Sequence, residues 1–476
     1  MATAAVIGSG PNGLAAAVVL SRAGFDVTVH EAQPTLGGGL RTDQLTVPGY
    51  WHDRCSAVHP MSSTSPFFRA FGLTDRVQYV SPEIAYAHAI EPGRSAIAFR
   101  DIEQTVQELG TGGRAWRSLL APLAERIDDL AVTALDAQLR WPAHPRLLAE
   151  LGTRVLRATL ASGALATSDA AALLAGVSAH SGTKLPSLGA SAVGVVLAAH
   201  AHAGGWPVPV GGSRSVAQAL VDDIRAHGGE FRTSSPVTAI AELNQDVVVA
   251  DVSARALAAL DSSLPRGYLR SLRRFRYGTA TAKVDAALDG PIPWADPRLA
   301  EAVTVHVGGT AAETRAAETA VAGGRDTSQP FVLVTQPTVA DPSRAPAGTG
   351  ILWAYCHVPA GSGRDMSDTI LDRLEPFAPG IRDRVVALHS STALDIEAHD
   401  ENFVGGDIAS GASTFDQLVR RPTLSSSPWR TPRRGLYLAS ASAAPGPGVH
   451  GMAGYLAARA VLADYRLPMP DLSPGT

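Results

Sequence analysis

Cysteine is scarce in this 476-residue chain, which holds only Cys55 and Cys356. Neither belongs to a C-x-x-C pair, which excludes a disulfide framework and a dithiol reductase centre. Lysine is as rare: the 40 basic residues include only Lys184 and Lys283. No apolar run reaches the length of a bilayer span, since the longest, near 190–203, is short and carries His200 and His202. A net charge of −4 and a pI near 6.4 provide no basic footprint for nucleic acid. A strand already begins at Ala4, so no secretory leader is expected. The low cysteine content fits a reducing, cytoplasmic setting. The length exceeds one ordinary core and points to two domains.

The first 42 residues hold the densest signal. Ala4–Ile7 reads as a strand, Gly8-Ser9-Gly10-Pro11-Asn12-Gly13 as a turn, and Leu14–Arg22 as a helix. Asp26–His30 is then a second strand, ended by Glu31 and Ala32. Strand, G-x-G-x-x-G, helix, strand and acid together make a dinucleotide fingerprint. Gly8 permits the tight turn, Gly10 lets a pyrophosphate approach the backbone, and Gly13 lets helix and strand pack closely. The helix N-terminus favours phosphate, and Glu31 can accept from ribose hydroxyls. A second glycine loop, Gly37-Gly38-Gly39-Leu40-Arg41, follows directly. Its place suits a longer, extended dinucleotide wrapped from both sides, which selects FAD over NAD. No second fingerprint appears, so oxygen or a quinone is the expected electron acceptor.

The middle of the chain is mostly helical from about 100 to 203, including a helix over Ala115–Leu139 that Trp141-Pro142 stops. Pro209-Val210-Gly211-Gly212 opens a helix over Val216–His227, and a short strand follows at Val237–Ile240. Further strands are expected at Val247–Asp251, Tyr277–Leu288, Phe331–Gln336, Ile351–Val358 and Gly435–Ser440. The fold class is α/β, with a Rossmann-like unit and a second unit of sheet and helices. Ser440 and Ser442 are small enough to admit a ligand. The segment Pro445-Gly446-Pro447-Gly448-Val449-His450-Gly451-Met452 feeds a helix whose positive end suits a reduced flavin.

These blocks, in this order, make the chain resemble the FAD-dependent oxidoreductases of the phytoene-desaturase type, within the wider flavin amine-oxidase-like superfamily and nearest to uncharacterised bacterial NAD(P)/FAD-dependent oxidoreductases. The resemblance implies an FAD domain assembled from 1–65, 205–255 and 425–476, and a substrate domain from 66–204 and 256–424. It places Val237 at the adenine side and Val449, His450, Gly451 and Met452 beside the flavin ring. The chain departs from carotenoid desaturases, which usually carry proline where His450 stands and a longer loop than Ala241–Asp246. Their substrate is therefore not transferred.

The expected chemistry is hydride transfer from a C–H of a small, apolar molecule to flavin N5. The alternatives are an amine oxidase using oxygen and a non-enzymatic FAD scaffold. Candidate catalytic residues are His450, His59, Lys283 and Tyr355. In the related amine oxidases, a lysine on a comparable strand holds a water against flavin N5, which gives Lys283 its interest; a pair with Asp285 is the plainer role. Trp206 is a cavity wall or a core residue. His200 and His202 point to different helix faces, and no metal site is expected. The run Arg270, Arg273, Arg274 and Arg276 makes a solvated face or a peripheral membrane contact.

Overall fold

The structure, a computed structural model, describes residues 2–161 and 164–475. A five-stranded and a seven-stranded sheet dominate it. Their strands, in chain order, are β1 (Thr3–Ile7), β2 (Asp26–His30), β3 (Ile84–Glu91), β4 (Arg94–Phe99), β5 (Glu230–Arg232), β6 (Val247–Ala250), β7 (Ala280–Leu288), β8 (Thr304–Val307), β9 (Val332–Thr335), β10 (Gly350–Val358), β11 (Val385–Ser391) and β12 (Leu436–Leu438). The helices that matter below are α1 (Pro11–Arg22), α2 (Asp169–Ala179), α3 (Leu188–Ala203), α4 (Arg214–Ala226), α5 (Ala311–Ala322), α6 (Ala393–His399) and α7 (Met452–Tyr465).

The smaller sheet is parallel throughout, in the order β12-β6-β1-β2-β5. Parallel strands are covered on both faces and so read as unbroken apolar runs; Val247, Val249, Val27, Val29 and Val6 are all fully buried. Each such side chain contributes roughly 1.5–3 kcal/mol on leaving water. In α1, Leu14 through Leu20 is apolar on every face, and the helix is accordingly enclosed. α7 crosses it so closely that a Cβ on Gly454 would lie 1.7 Å from the Asn12 carbonyl oxygen. Phe67, Phe71, Leu257 and Leu272, from segments the sequence ascribes to the other unit, also pack into this core.

The larger sheet runs β11-β7-β10-β9-β8-β3-β4, antiparallel except where β8 meets β3. Strand alternation separates its two faces. Ala282, Val284, Ala354 and Cys356 join one apolar core. The opposite face carries Thr281, Lys283 and Asp285 against His357, Tyr355 and Trp353. The whole is a mixed α/β fold of two domains.

Two expected elements differ. Ala115–Leu139 is two helices, Gly113–Ala124 and Ile127–Ala134, because Arg126 leaves helical geometry at φ −119°, ψ 39°. Val237–Ile240 forms no strand: the edge beside β2 is taken by β5, with Thr28 paired to Glu230.

Candidate functional site

The fingerprint loop has the geometry its glycines require. Gly8 has φ +94°, and a Cβ there would lie 2.8 Å from the Asp251 carbonyl oxygen. A Cβ on Gly13 would sit 2.1 Å from the Gly8 carbonyl oxygen. The N-cap residue of α1 is Gly10, which has no side chain to cap the helix, and Pro11 occupies the first turn; such a glycine-led helix start favours an anion. The buried Asn12 Oδ1 has no partner there among the described residues. Glu31 accepts from the Ser9 N–H at 3.0 Å and the Gln33 N–H at 2.8 Å, and lies 3.2 Å from Arg41. Ser9 Oγ in turn accepts from the Gly37 N–H at 3.0 Å, which ties the second glycine loop to the first. Arg41 donates to the Thr35 carbonyl at 2.9 Å. A glycine-led helix start, crowding that admits only glycine, and an acid at the end of β2 fit a dinucleotide. Ala32 is exposed just beyond.

Two further carboxylates close on this loop, and the sequence pattern gave neither a role. Asp251, after β6, accepts from the Gly13 N–H at 2.8 Å. Burial pushes its carboxyl up to about 7. Asp400, after α6, lies near Gly38, and burial raises it to about 6. Asn402 fixes this second segment, donating to the Asp251 carbonyl at 3.0 Å and accepting from the Ser253 N–H at 2.7 Å.

Asp53 is the junction between the units, and it too carried no sequence signal. Its carboxylate accepts from Thr42 Oγ1 at 2.7 Å, the Ser213 N–H at 2.9 Å and Arg344 Nη2 at 2.8 Å. Its carbonyl accepts from Lys283 Nζ at 3.0 Å and Trp353 Nε1 at 2.8 Å. One residue, set in a short two-residue strand opposite Thr42, therefore joins the segment after the second glycine loop, the Gly211-Gly212 turn and the larger sheet.

Beside this junction is a cavity of about 260 Å³. Arg54 and Cys55 wall one side, and Thr281, Lys283, Trp353 and Tyr355 the other. Burial pushes the Cys55 thiol up to about 12, so it stays protonated and is no nucleophile. Lys283 is ion-paired with Asp285 and lies 5.0 Å from the Trp353 ring centroid. Burial alone would raise the Asp285 carboxyl; Lys283 and His52 outweigh it and hold the group ionised. Lys283 thus makes the plainer of its expected contacts, the pair with Asp285, while also lining the cavity.

The remaining candidates scatter. His59 lies off the cavity, its Nε2 2.9 Å from Ser213 Oγ, with burial pushing it down to about 4. His450 is fully buried at the start of α7; its Nδ1 accepts from the Met452 N–H at 3.1 Å, and Nε2 has no partner among the described residues. Ser442 accepts from the Ala254 N–H and donates to the Ser410 carbonyl. Val237 and Val449 are half-buried against the core of the smaller sheet, and Gly451 has φ +64°. Trp206 stacks on Tyr86 at 4.6 Å, in the core and not at the cavity. His200 bonds to Thr64 and His202 to Trp116. Arg270, Arg273, Arg274 and Arg276 are exposed. Among the described residues no helix is long and apolar enough to cross a membrane.

Comparison with known proteins places this geometry. The profile of the family described as flavin containing amine oxidoreductase matches residues 12–462. Pyridine nucleotide-disulfide oxidoreductase domain-containing protein 2 of Rattus norvegicus is 25% identical, over 97% of this chain and 94% of its own. An oxidoreductase from Methanosarcina mazei shares the fold with a TM-score of 0.59 at 18% identity, covering 97% of this chain and all of that one. Cyclohexylamine oxidase from Brevibacterium oxydans does so at 0.57 and 17%, covering 98% and 99%. With a glycine cradle fit for a dinucleotide and nearly the full length matched, the chain belongs to the flavin containing amine oxidoreductase family, and its cofactor is FAD.

Proposed function

We propose that the protein is an oxidoreductase of phytoene-desaturase-like type that takes a hydride from a C–H of a small, largely apolar molecule held in the cavity beside Lys283. One observation carries this reading. The cavity is walled on one side by Arg54 and Cys55, which follow the second glycine loop, and on the other by the face of β7 and β10. When bound, FAD supplies a hydride acceptor at N5, and a C=C, C=N or C=O product remains. The chain's own residues position the donor and keep water out. Trp353, Ile396, Phe403 and Ile408 provide apolar wall, and correct placement alone is worth several powers of ten in rate. No strong base is available: Asp285 is held by Lys283, while burial lowers His389 and His399. That suits desaturation of an activated C–H, or oxidation of a neutral amine, better than oxidation of an alcohol.

A second reading, amine oxidation with oxygen, draws on Lys283 in the cavity wall and on the amine-oxidising name of one structural relative. Both are tested by anaerobic mixing of the yellow holoprotein with pooled lipophilic and amine metabolites. Bleaching of the flavin band by one pool is expected. Failure to take up FAD, or a flavin that no pool bleaches, refutes the proposal. Recovery of colour in air supports oxygen as acceptor, and Lys283→Met should then slow reoxidation of the reduced flavin; unchanged reoxidation eliminates the amine-oxidase reading.

A further inference from the structure

The cavity wall holds three polar groups whose hydrogen-bonding capacity is not used up, and they lie together. Lys283 and Tyr355 are directly opposed across the antiparallel pair β7–β10. Such opposed residues have Cβ atoms about 4.5–5.5 Å apart. Thr281 is two residues along β7 from Lys283, on the same face. Lys283 has three N–H donors; Asp285 takes one and the Asp53 carbonyl a second, which leaves one for the cavity. The Tyr355 hydroxyl makes no hydrogen bond among the described residues, and burial raises its pKa, so it remains a donor. Thr281 Oγ1 is buried and has no partner among the described residues. Two donors and an adaptable hydroxyl thus face one space.

Both cations at the wall are paired. Lys283 is neutralised by Asp285 and Arg54 by Asp43. Asp395 is held by the Thr392 N–H and hydroxyl at the start of α6. Burial pushes His399 down to about 4 and lowers His389, so both are neutral at pH 7. An anion entering here would be desolvated against Asp285 and Asp395 with no unpaired cation to meet it; a cation would be opposed by Lys283 and Arg54 and would find only Asp395, whose carboxylate is already taken up by the cap of α6. An uncharged oxygen with two lone pairs meets two donors without that cost.

We propose that the cavity selects an uncharged small molecule carrying a carbonyl-type oxygen, held jointly by Lys283 Nζ and Tyr355 Oη with Thr281 Oγ1 alongside, and with its hydrocarbon part against Trp353 and Phe403. The inference rests on reading this cavity as the substrate site, and it assigns that site a ligand class.

Binding without turnover tests it. The FAD-loaded protein is titrated, by calorimetry and tryptophan fluorescence, with four probes that share a phenyl ring: acetophenone, ethylbenzene, benzoate and benzyltrimethylammonium. Acetophenone should bind at least about tenfold more tightly than each of the others, the gain expected of one or two well-formed hydrogen bonds. Tyr355→Phe and Thr281→Val should each reduce that preference several-fold while leaving ethylbenzene unchanged. Lys283→Met should do the same, and the two milder variants decide the matter if removing the partner of Asp285 prevents folding. Benzoate or the ammonium binding as tightly as the ketone, acetophenone binding no better than ethylbenzene, or no binding of acetophenone at millimolar concentration overturns the proposal. A protein that prefers acetophenone but whose flavin no metabolite pool bleaches keeps this inference and loses the proposed function. One that is bleached but shows no ketone preference does the reverse.

Discussion

Asp251→Asn should flatten the pH dependence of stability in the FAD-free protein. Burial raises the Asp251 carboxyl from 3.8 to about 7, with Asp400 and Glu31 adding to the rise and the Gly13 N–H opposing it. Because the folded pKa lies above the unfolded one, the contribution to stability is complete below about pH 4. It is lost as the pH climbs, and the loss ends just above 7. At pH 5 the folded chain keeps this proton while the unfolded chain has released it; by pH 8 both are ionised. Linkage then gives a loss of about 2–3 kcal/mol between pH 5 and 8 from this one group. Asparagine retains an oxygen to accept the Gly13 N–H but cannot titrate. Urea denaturation followed by tryptophan fluorescence at half-unit pH steps measures the effect. Stability of the variant relative to wild type should rise by about 2–3 kcal/mol across that interval. Asp400 titrates in both chains, so the comparison removes most of its contribution. Parallel curves would refute the reasoning, because they would mean that the carboxylate is solvated or compensated in a way the packing around Gly10 and Gly13 does not allow.

Three other perturbations test the same architecture. Gly13→Ala places a methyl 2.1 Å from the Gly8 carbonyl oxygen, so FAD affinity should fall at least about tenfold in a fluorescence titration, a change of about 1.4 kcal/mol; an unchanged affinity would detach the loop from the cofactor. Arg344→Met strands the buried Asp53 carboxylate, with both partners under 2% exposed, and should cost about 3–5 kcal/mol in urea denaturation, part of which Asp53→Asn on the same chain should restore. Burial alone would lower the pKa of His357, but the neighbouring Glu318 outweighs it and raises the value; that pair therefore stabilises most below the ordinary histidine pKa and is lost as pH rises through the raised one. Glu318→Gln should accordingly be more destabilising at pH 6 than at pH 9, and a gap that widens with pH would contradict the pairing.

What the sequence revealed depended on how local each signal was. β1, α1 and β2 were legible because turn chemistry, helix start and strand pattern lie within thirty residues of one another. β5 was not: Glu230-Phe231-Arg232 has no strand pattern, and it pairs with β2 only because that edge is open to it. Val237–Ile240 looked more strand-like and found no edge. Lys283 stood out through its rarity, and alternation set it on the face with Thr281 and Asp285. That Tyr355 stands opposite it is a matter of register between strands about seventy positions apart, which no local pattern encodes. Asp53, Asp251 and Asp400 draw their importance from partners hundreds of residues away, and a solitary aspartate announces none of them.

The interleaving of the smaller sheet also imposes a timetable on synthesis. Thr3 and Asp246, joined by hydrogen bonds at the end of β1, are 243 positions apart. At a translation rate of about 5–20 residues per second, β1 emerges on the order of ten to fifty seconds before its partner β6 exists. The outer neighbour of β6, β12, arrives later still, at Leu436–Leu438. Throughout that interval the fingerprint strand presents an unpaired edge of alanine and valine, the kind of surface on which nascent chains associate. The cofactor cradle can therefore close only once β12 and α7 have been made, and a chain cut before α7 would leave α1 without the helix that crosses it.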